Sequence, residues 1–256
     1  MPLYTVLIAG QLVAFAVSAL LVLTELDGSG PGVREIAAAA AAWAGNAFGL
    51  LAFYRAAQVG PLSIAAPLGS LAAGVPVLAG VASGEGLDVL KAVAIALALA
   101  GVALAARPGS PASTAEHGDR RGAALWALAS SVGFGVFLAC MAPASDDGVF
   151  WAVALSRLSL LVILIAVALR LASPLRVGAH EVPRVMVPGL LLFAGTLLYT
   201  AATQEGDLSV VAVITTMFPV VTVGLAFALL GERLTSVQAA GATAAMLGSV
   251  LLAAVR

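Results

Sequence analysis

The chain has 256 residues, of which 62% are hydrophobic and 10% charged, and its mean hydropathy is +1.10. Soluble globular domains carry about 25% charged residues, so this composition excludes an ordinary water-soluble domain and predicts an integral membrane protein whose partner is the lipid bilayer. The net charge of -1 gives no electrostatic basis for binding nucleic acid. A single cysteine, Cys140, excludes an intrachain disulfide.

Nine apolar runs are long enough to cross the hydrocarbon core of a bilayer as α-helices. Open strand edges cannot be satisfied in lipid, and barrel strands would not give continuous apolar runs, so the sequence predicts an all-α membrane protein. Turn-forming segments separate the runs, and only Arg107–Arg121 is a longer polar stretch. In chain order the runs are Leu3–Leu23, Glu35–Ala57, Leu62–Ser83, Asp88–Ala106, Gly122–Ala142, Val149–Arg170, Arg184–Thr203, Leu208–Leu230 and Ser236–Val255.

A short motif occurs twice, as "GEGLDVLK" from Gly84 and as "GERLTSVQ" from Gly231, 147 residues later. In each copy an acid stands just before an apolar run, where the dipole at a helix N-terminus favours negative charge. The motif therefore predicts a turn at a helix end rather than a substrate site. With the same offset the small residues of the two following runs coincide: Ala94 falls on Gly241 and Gly101 on Gly248.

The similarity continues upstream of this motif. "YRAAQVGPLS" from Tyr54 matches "YTAATQEGDLS" from Tyr199 with a one-residue gap, and the N-terminal run resembles the run from Val153, which places Gln11 on Arg157. The chain is therefore predicted to contain two copies of one helical unit. The predicted organisation is a first repeat of four helices at 1–106, a connecting loop at 107–121 and a second repeat of five helices at 122–256.

The small residues along the last run of each repeat predict close approach of helix backbones. They include Ala94, Ala98 and Gly101 in the first repeat, and Gly241 and Gly248 in the second. These two runs are interpreted as packing elements, with a homodimer face as one use. Basic residues are more frequent in the predicted loops on the side of the N-terminus, which predicts a cytoplasmic N-terminus.

The stretch from "YTAA" at Tyr199 through "LSVVAVITTMFPVVTVGLAFALLGERLTSVQAAGATAAMLGSVLL" resembles the end of an EamA-type transporter of the drug/metabolite transporter superfamily. The resemblance implies ten helices in two inverted repeats, so we expect that the first family helix is absent here and that nine remain. It also implies secondary transport by alternating access, commonly export of amino acids, metabolites or drugs, in a multi-pass plasma-membrane protein. The resemblance implies no cofactor.

Polar residues inside the predicted spans are few, and they are grouped on helix faces. In the fold that the resemblance implies, the helices carrying them surround one central cavity for a small-molecule solute. Hydroxyl groups in membrane helices also bond their own carbonyls or neighbouring helices, so a structural role is the alternative for each residue. The cavity candidates are Trp43, Asn46, Trp126, Ser130, Arg157, Tyr199, Thr200, Thr203, Thr215 and Thr216.

Arg157 is the only charged residue clearly inside a predicted span. A charge there is costly and therefore has either a structural or topological role, or a contact with an anionic group of a substrate. An intramembrane enzyme is not favoured, because the spans contain no histidine, no metal-ligand cluster and no GxSxG motif. A truncated or non-transporting membrane protein, or an assembly partner, is the alternative to a transporter.

Overall fold

The structure is a computed structural model. It describes residues 3–25, 30–59, 68, 70–105, 119–170, 182–217, 220–221, 224–225, 228 and 235–254. Every regular element within these residues is helical. The α-helices are α1 (Leu3–Val22), α2 (Val33–Val59), α3 (Gly74–Ala82), α4 (Val89–Ala105), α5 (Arg120–Ala144), α6 (Val149–Arg170), α7 (Val182–Glu205), α8 (Leu208–Thr215) and α9 (Ser236–Ala254), with 3-10 turns at Leu23–Glu25 and Ser70–Ala73.

The predicted spans agree with these helices to within two residues at each end for all but the third and the eighth. The third span is described from Ser70 onward, as a 3-10 turn that leads into α3. In the eighth span, α8 ends at Thr215, and the described residues further along this span, at 220–221, 224–225 and 228, are again helical. Pro219 lies between these two parts and outside the described residues.

Two of the described helical stretches are long and apolar enough to cross a membrane by length and composition, Val33–Val59 and Arg121–Ala144. The other apolar helices have described stretches of 10–17 residues. The number of membrane crossings therefore stays a prediction. Most of the Arg107–Arg121 loop and the turn that contains Gly231 and Glu232 lie outside the described residues.

The chain divides into two compact units. Unit 1 comprises Met1–Ala47 and Cys140–Glu205, and unit 2 comprises Phe48–Ala139 and Gly206–Arg256. Each unit draws on both predicted repeats, and the boundaries fall within α2, within α5 and just after α7. Domains based on the repeats and units based on contacts are therefore different divisions of the same chain, and the repeat boundaries stay a prediction.

In unit 1, α1 packs against both α6 and α7. The backbones of α1 and α7 come very close, because a β-carbon at Gly189 would lie 2.5 Å from the carbonyl oxygen of Gly10. Glycine at such a crossing lets two helices pack without a large apolar side chain between them, which is how helices associate in lipid.

In unit 2, α3 packs against α8 and α4 packs against α9. The contact between α4 and α9 is reciprocal: a β-carbon at Gly101 would lie 2.8 Å from the Cα of Ala245, and one at Gly248 would lie 2.8 Å from the Cα of Ala98. The small-residue faces predicted for these two helices therefore pack on each other within one chain. The homodimer stays a prediction.

Three helices of unit 2 begin at side-chain caps. Asp88 Oδ1 accepts a hydrogen bond from the Lys91 N–H (2.7 Å) at the start of α4, and Asp119 Oδ1 accepts one from the Gly122 N–H (2.9 Å) at the start of α5. At the start of α9, Thr235 and Gln238 bond each other's backbone N–H groups in a capping box, at 3.2 and 3.0 Å. The caps account for the observed start of each helix.

Candidate functional site

Arg157 lies in the interior of unit 1, with 6% of its surface exposed, and it bonds to α1 and α7 from α6. Its Nη1 donates to Gln11 Oε1 (3.3 Å), and its Nη2 donates to the carbonyl oxygen of Leu192 (2.8 Å) and to the Thr196 hydroxyl. Gln11 is also buried. The arginine therefore connects three helices through neutral acceptors.

Most of the other hydroxyl groups on the polar face of α7 bond to carbonyl groups of the same helix. The Thr200 hydroxyl donates to the Thr196 carbonyl (2.8 Å), and the Thr203 hydroxyl donates to the Thr200 carbonyl (2.7 Å). Thr200 and Tyr199 are buried, whereas Thr203 is half-buried. Such bonds within one helix fit a structural role for the two threonines. Tyr199 is the large side chain on the same face of α7.

On α2, Trp43 and Asn46 are half-buried residues of unit 1. The indole nitrogen of Trp43 is buried and has no hydrogen-bond partner among the described residues. Tryptophan side chains usually find an acceptor when buried.

The other predicted residues lie in unit 2. Ser130 is fully buried, and its hydroxyl donates to the Gly49 carbonyl of α2 (2.8 Å), so it joins α5 to α2. The Thr216 hydroxyl donates to the Val213 carbonyl (3.0 Å), and the exposed Thr215 bonds to the carbonyl of Val211 (2.8 Å). Trp126 is 40% exposed on α5.

The structure thus places the predicted residues in two groups. Those in unit 1 are Trp43, Asn46, Arg157, Tyr199, Thr200 and Thr203, and those in unit 2 are Trp126, Ser130, Thr215 and Thr216. Within unit 1 it joins Arg157 to the polar face of α7 through Thr196. A single cavity lined by both groups stays a prediction.

A second polar cluster, formed by Glu85, Lys91 and Asp207, lies in unit 2. Lys91 is only 4% exposed; its Nζ lies 2.6 Å from Asp207 Oδ2 and 3.8 Å from Glu85 Oε2. The Glu85 carboxylate accepts hydrogen bonds from the N–H groups of Leu208 (2.6 Å) and Ser209 (3.2 Å), and so caps α8. Two charged loops far apart in sequence thereby hold the first turn of α8.

Gly84 positions this carboxylate. The N–H of Gly84 donates to the Val81 carbonyl (3.1 Å) and that of Glu85 to the Gly80 carbonyl (3.0 Å), which is the Schellman ending of a helix. Gly84 has φ of +96°, a conformation that suits glycine. The turn directs Glu85 back over α3, where a β-carbon at Gly80 would lie 2.5 Å from the carboxylate.

The sequence predicted a helix-end turn at the "GEGLDVLK" motif, but it did not predict the cluster of Glu85, Lys91 and Asp207. It suggested that the acid of the motif serves the helix that follows it, whereas Asp88 caps α4 and Glu85 caps α8. A signal for Lys91 was present, because a lysine in the first turn of an otherwise apolar helix needs an acidic partner. Nothing local, however, pointed to Asp207 as that partner.

On unit 1, the turn between α5 and α6 also forms polar contacts. Gln204 Nε2 donates to the Ser145 hydroxyl (2.7 Å), and the Gly32 N–H donates to Asp147 Oδ2 (3.0 Å). The turn thereby fixes the end of α7 and the start of α2. No group of three or more metal-ligating side chains is found among the described residues.

The sequence model of the EamA-like transporter family matches residues 121–254, which is more than half of the chain. No curated protein matches the sequence significantly. Among solved structures, a crystal structure of a protein superposes with a TM-score of 0.77 at 16% sequence identity, covering 98% of this chain and 88% of the other. At that identity the superposition shows a shared fold alone.

Proposed function

Because the chain belongs to the EamA-like transporter family, we propose that it is a secondary transporter which exports a small metabolite, amino acid or drug-like solute across the plasma membrane. The family is one of membrane transporters and not of enzymes, which supports a membrane location and a non-enzymatic role. Export, the solute class, alternating access and the plasma membrane are the parts of the proposal that go beyond the family.

The transport cycle in this proposal is alternating access between two repeats. Support comes from helices at matching positions of the predicted repeats, which pack on each other: α1 with α6, α3 with α8, and α4 with α9. A two-fold axis relating two copies produces such pairs, since an element close to the axis meets its own equivalent.

The observation that carries the proposal is the reciprocity of single contacts. Gly101 meets Ala245, and the positions that the sequence repeat makes equivalent to these, Gly248 and Ala98, meet in the same way at the same distance. In unit 1, Gln11 and Arg157, which the sequence alignment of the predicted repeats places on each other, are hydrogen-bonded. Contacts of this kind favour a two-fold relation between the halves, the arrangement from which inverted-repeat carriers obtain their two access states.

The experiment is a flux assay in proteoliposomes that contain the purified full chain, with a panel of labelled amino acids, organic acids and cationic dyes. Asn46→Leu and Tyr199→Phe, changes at two predicted cavity residues, should lower flux by about tenfold, since a polar contact worth about 1.4 kcal/mol is lost. Thr243→Ala is the matched control, because this exposed threonine of α9 bonds only its own helix.

Flux that both cavity variants leave at the level of the Thr243 control would contradict the assignment of the cavity. A correctly folded chain that moves no member of the panel would instead favour the non-transporting membrane protein or assembly partner.

A further inference from the structure

Arg157 carries a positive charge for which the described residues provide no ion-pair partner. The three helices it connects contain a single acidic residue, Glu205, at the very end of α7. Glu205 is nine residues beyond Thr196, which is about 14 Å along a helix axis. None of the ion pairs among the described residues includes Arg157.

A buried cation without a counter-charge is costly, and proteins normally pair such a group or use it for function. The contacts of Arg157 are with a glutamine oxygen, a carbonyl and a hydroxyl, and all three are uncharged. They satisfy hydrogen-bonding groups and leave the net charge in place. A bound anion would supply the balancing charge.

The guanidinium also keeps donors for that anion. Its Nε–H is buried and has no acceptor among the described residues. The bond from Nη1 to Gln11 Oε1, at 3.3 Å, is longer than the usual range for a charged donor. The planar arrangement of these N–H groups matches the two oxygens of a carboxylate, which accept them side by side.

From these observations we propose that Arg157 binds the carboxylate of the transported solute, so that the substrates are small organic acids or zwitterions rather than cations. This inference rests on the proposed transport function and names the solute class for it. The equivalent position in the other predicted repeat holds Gln11, which is neutral. Of these two positions, only Arg157 therefore contributes a positive charge to the site.

A purely structural arginine would connect the same three helices, and its loss would change stability alone. The two roles differ in their dependence on anions. A binding residue makes the stability of the protein rise with anion concentration, because a ligand of the folded state stabilises it by mass action. A structural residue gives no such dependence.

The test is titration of the purified full chain in lipid nanodiscs with sodium benzoate and sodium acetate, and with their uncharged counterparts benzamide and acetamide, at constant ionic strength. Binding is read from the shift in melting temperature. Inorganic phosphate is titrated in parallel. Arg157→Gln is compared with Arg170→Gln, which removes the same charge from an exposed position at the end of the same helix.

We expect a carboxylate to stabilise the wild type and Arg170→Gln, the matching amide to have no effect, and Arg157→Gln to weaken carboxylate binding at least tenfold. Tenfold corresponds to about 1.4 kcal/mol. If Arg157→Gln does not fold, Arg157→Lys is the second variant, because lysine keeps the charge and lacks the planar pair of N–H donors of the guanidinium. Arg157→Lys should bind the carboxylate at least about threefold more weakly than the wild type.

Carboxylate binding by Arg157→Gln or Arg157→Lys equal to that of wild type would overturn the inference. So would binding of phosphate alone, which would identify a site for inorganic anions, and so would binding of no anion at all. Flux of neutral or cationic solutes that is insensitive to Arg157 would overturn the inference and leave the transport function standing. Carboxylate binding that depends on Arg157, without any flux, would contradict the transport function and leave the anion site standing.

Discussion

Gly101 offers the sharpest test of how the helices of unit 2 pack. It lies in the C-terminal half of α4, and a β-carbon there would sit 2.8 Å from the Cα of Ala245 on α9. Two carbon atoms in contact are normally about 3.5–4.0 Å apart. Gly101→Ala therefore forces the two backbones apart along their whole contact, since no flexible side chain is present to move aside.

Two opposing terms set the size of the effect. Alanine is more favourable than glycine in a helix by about 1 kcal/mol, whereas overpacking a close contact costs about 1–3 kcal/mol and occasionally more. At Gly101 the overlap is with backbone, so we expect a cost near the upper end and a net loss of about 1–2 kcal/mol. For a chain of this length, that corresponds to a melting temperature lowered by about 2–8 °C.

The matched control is Gly195→Ala. Gly195 is inside α7, and a β-carbon there would have no other atom within 4 Å. Here only the gain in helix propensity remains, so the melting temperature should rise. Both variants are measured by thermal unfolding of the purified protein in the same detergent, with monodispersity checked by size exclusion.

The same substitution is thus expected to have opposite signs at two helical glycines. An increase for Gly101→Ala that equals the increase for Gly195→Ala would refute the close approach of α4 and α9. Gly248→Ala should lower the melting temperature as much as Gly101→Ala does, because the two contacts are reciprocal. Unequal effects would argue against the two-fold relation.

Two further outcomes follow from the charged groups. Lys91→Met should lower the free energy of unfolding by about 1–3 kcal/mol, because two carboxylates then share a site without a cation. Asp207→Asn should lower it less, because the Asp207 side chain is half exposed. Equal losses for the two variants in denaturant titrations would contradict this. In a cysteine-free background, an impermeant maleimide added outside should label Asp146→Cys and not Ser113→Cys, and the opposite pattern would reverse the predicted orientation.

Most of the helices could be predicted because a bilayer leaves few choices. A run of about 20 apolar residues in lipid has to form a helix to satisfy its backbone, and the predicted run Val149–Arg170 is α6 without change. The run from Leu208 was harder, since its composition is apolar on both sides of Pro219 while α8 ends at Thr215. Hydropathy measures apolar character and does not register where a helix ends inside an apolar run.

The candidate site could be predicted only in part. Arg157 stood out because one charge in an apolar run is visible without a structure, but its acceptors were not, because the carbonyl of Leu192 is a backbone atom that every residue has. The partner of Lys91 is 116 residues away. Such pairs depend on the rotation of each helix about its axis, which periodicity defines poorly when nearly every position is apolar.

The interleaved composition of unit 1 affects how the protein is made. Gln11 and Arg157 are 146 residues apart, and a ribosome adds about 5–20 residues per second. About 7–30 s of synthesis therefore separate Gln11 from its polar partner. During that interval the Gln11 amide has to bond to other groups or stay unpaired, which is costly for a buried amide. We therefore expect α1 to complete its packing only after α6 has been synthesised.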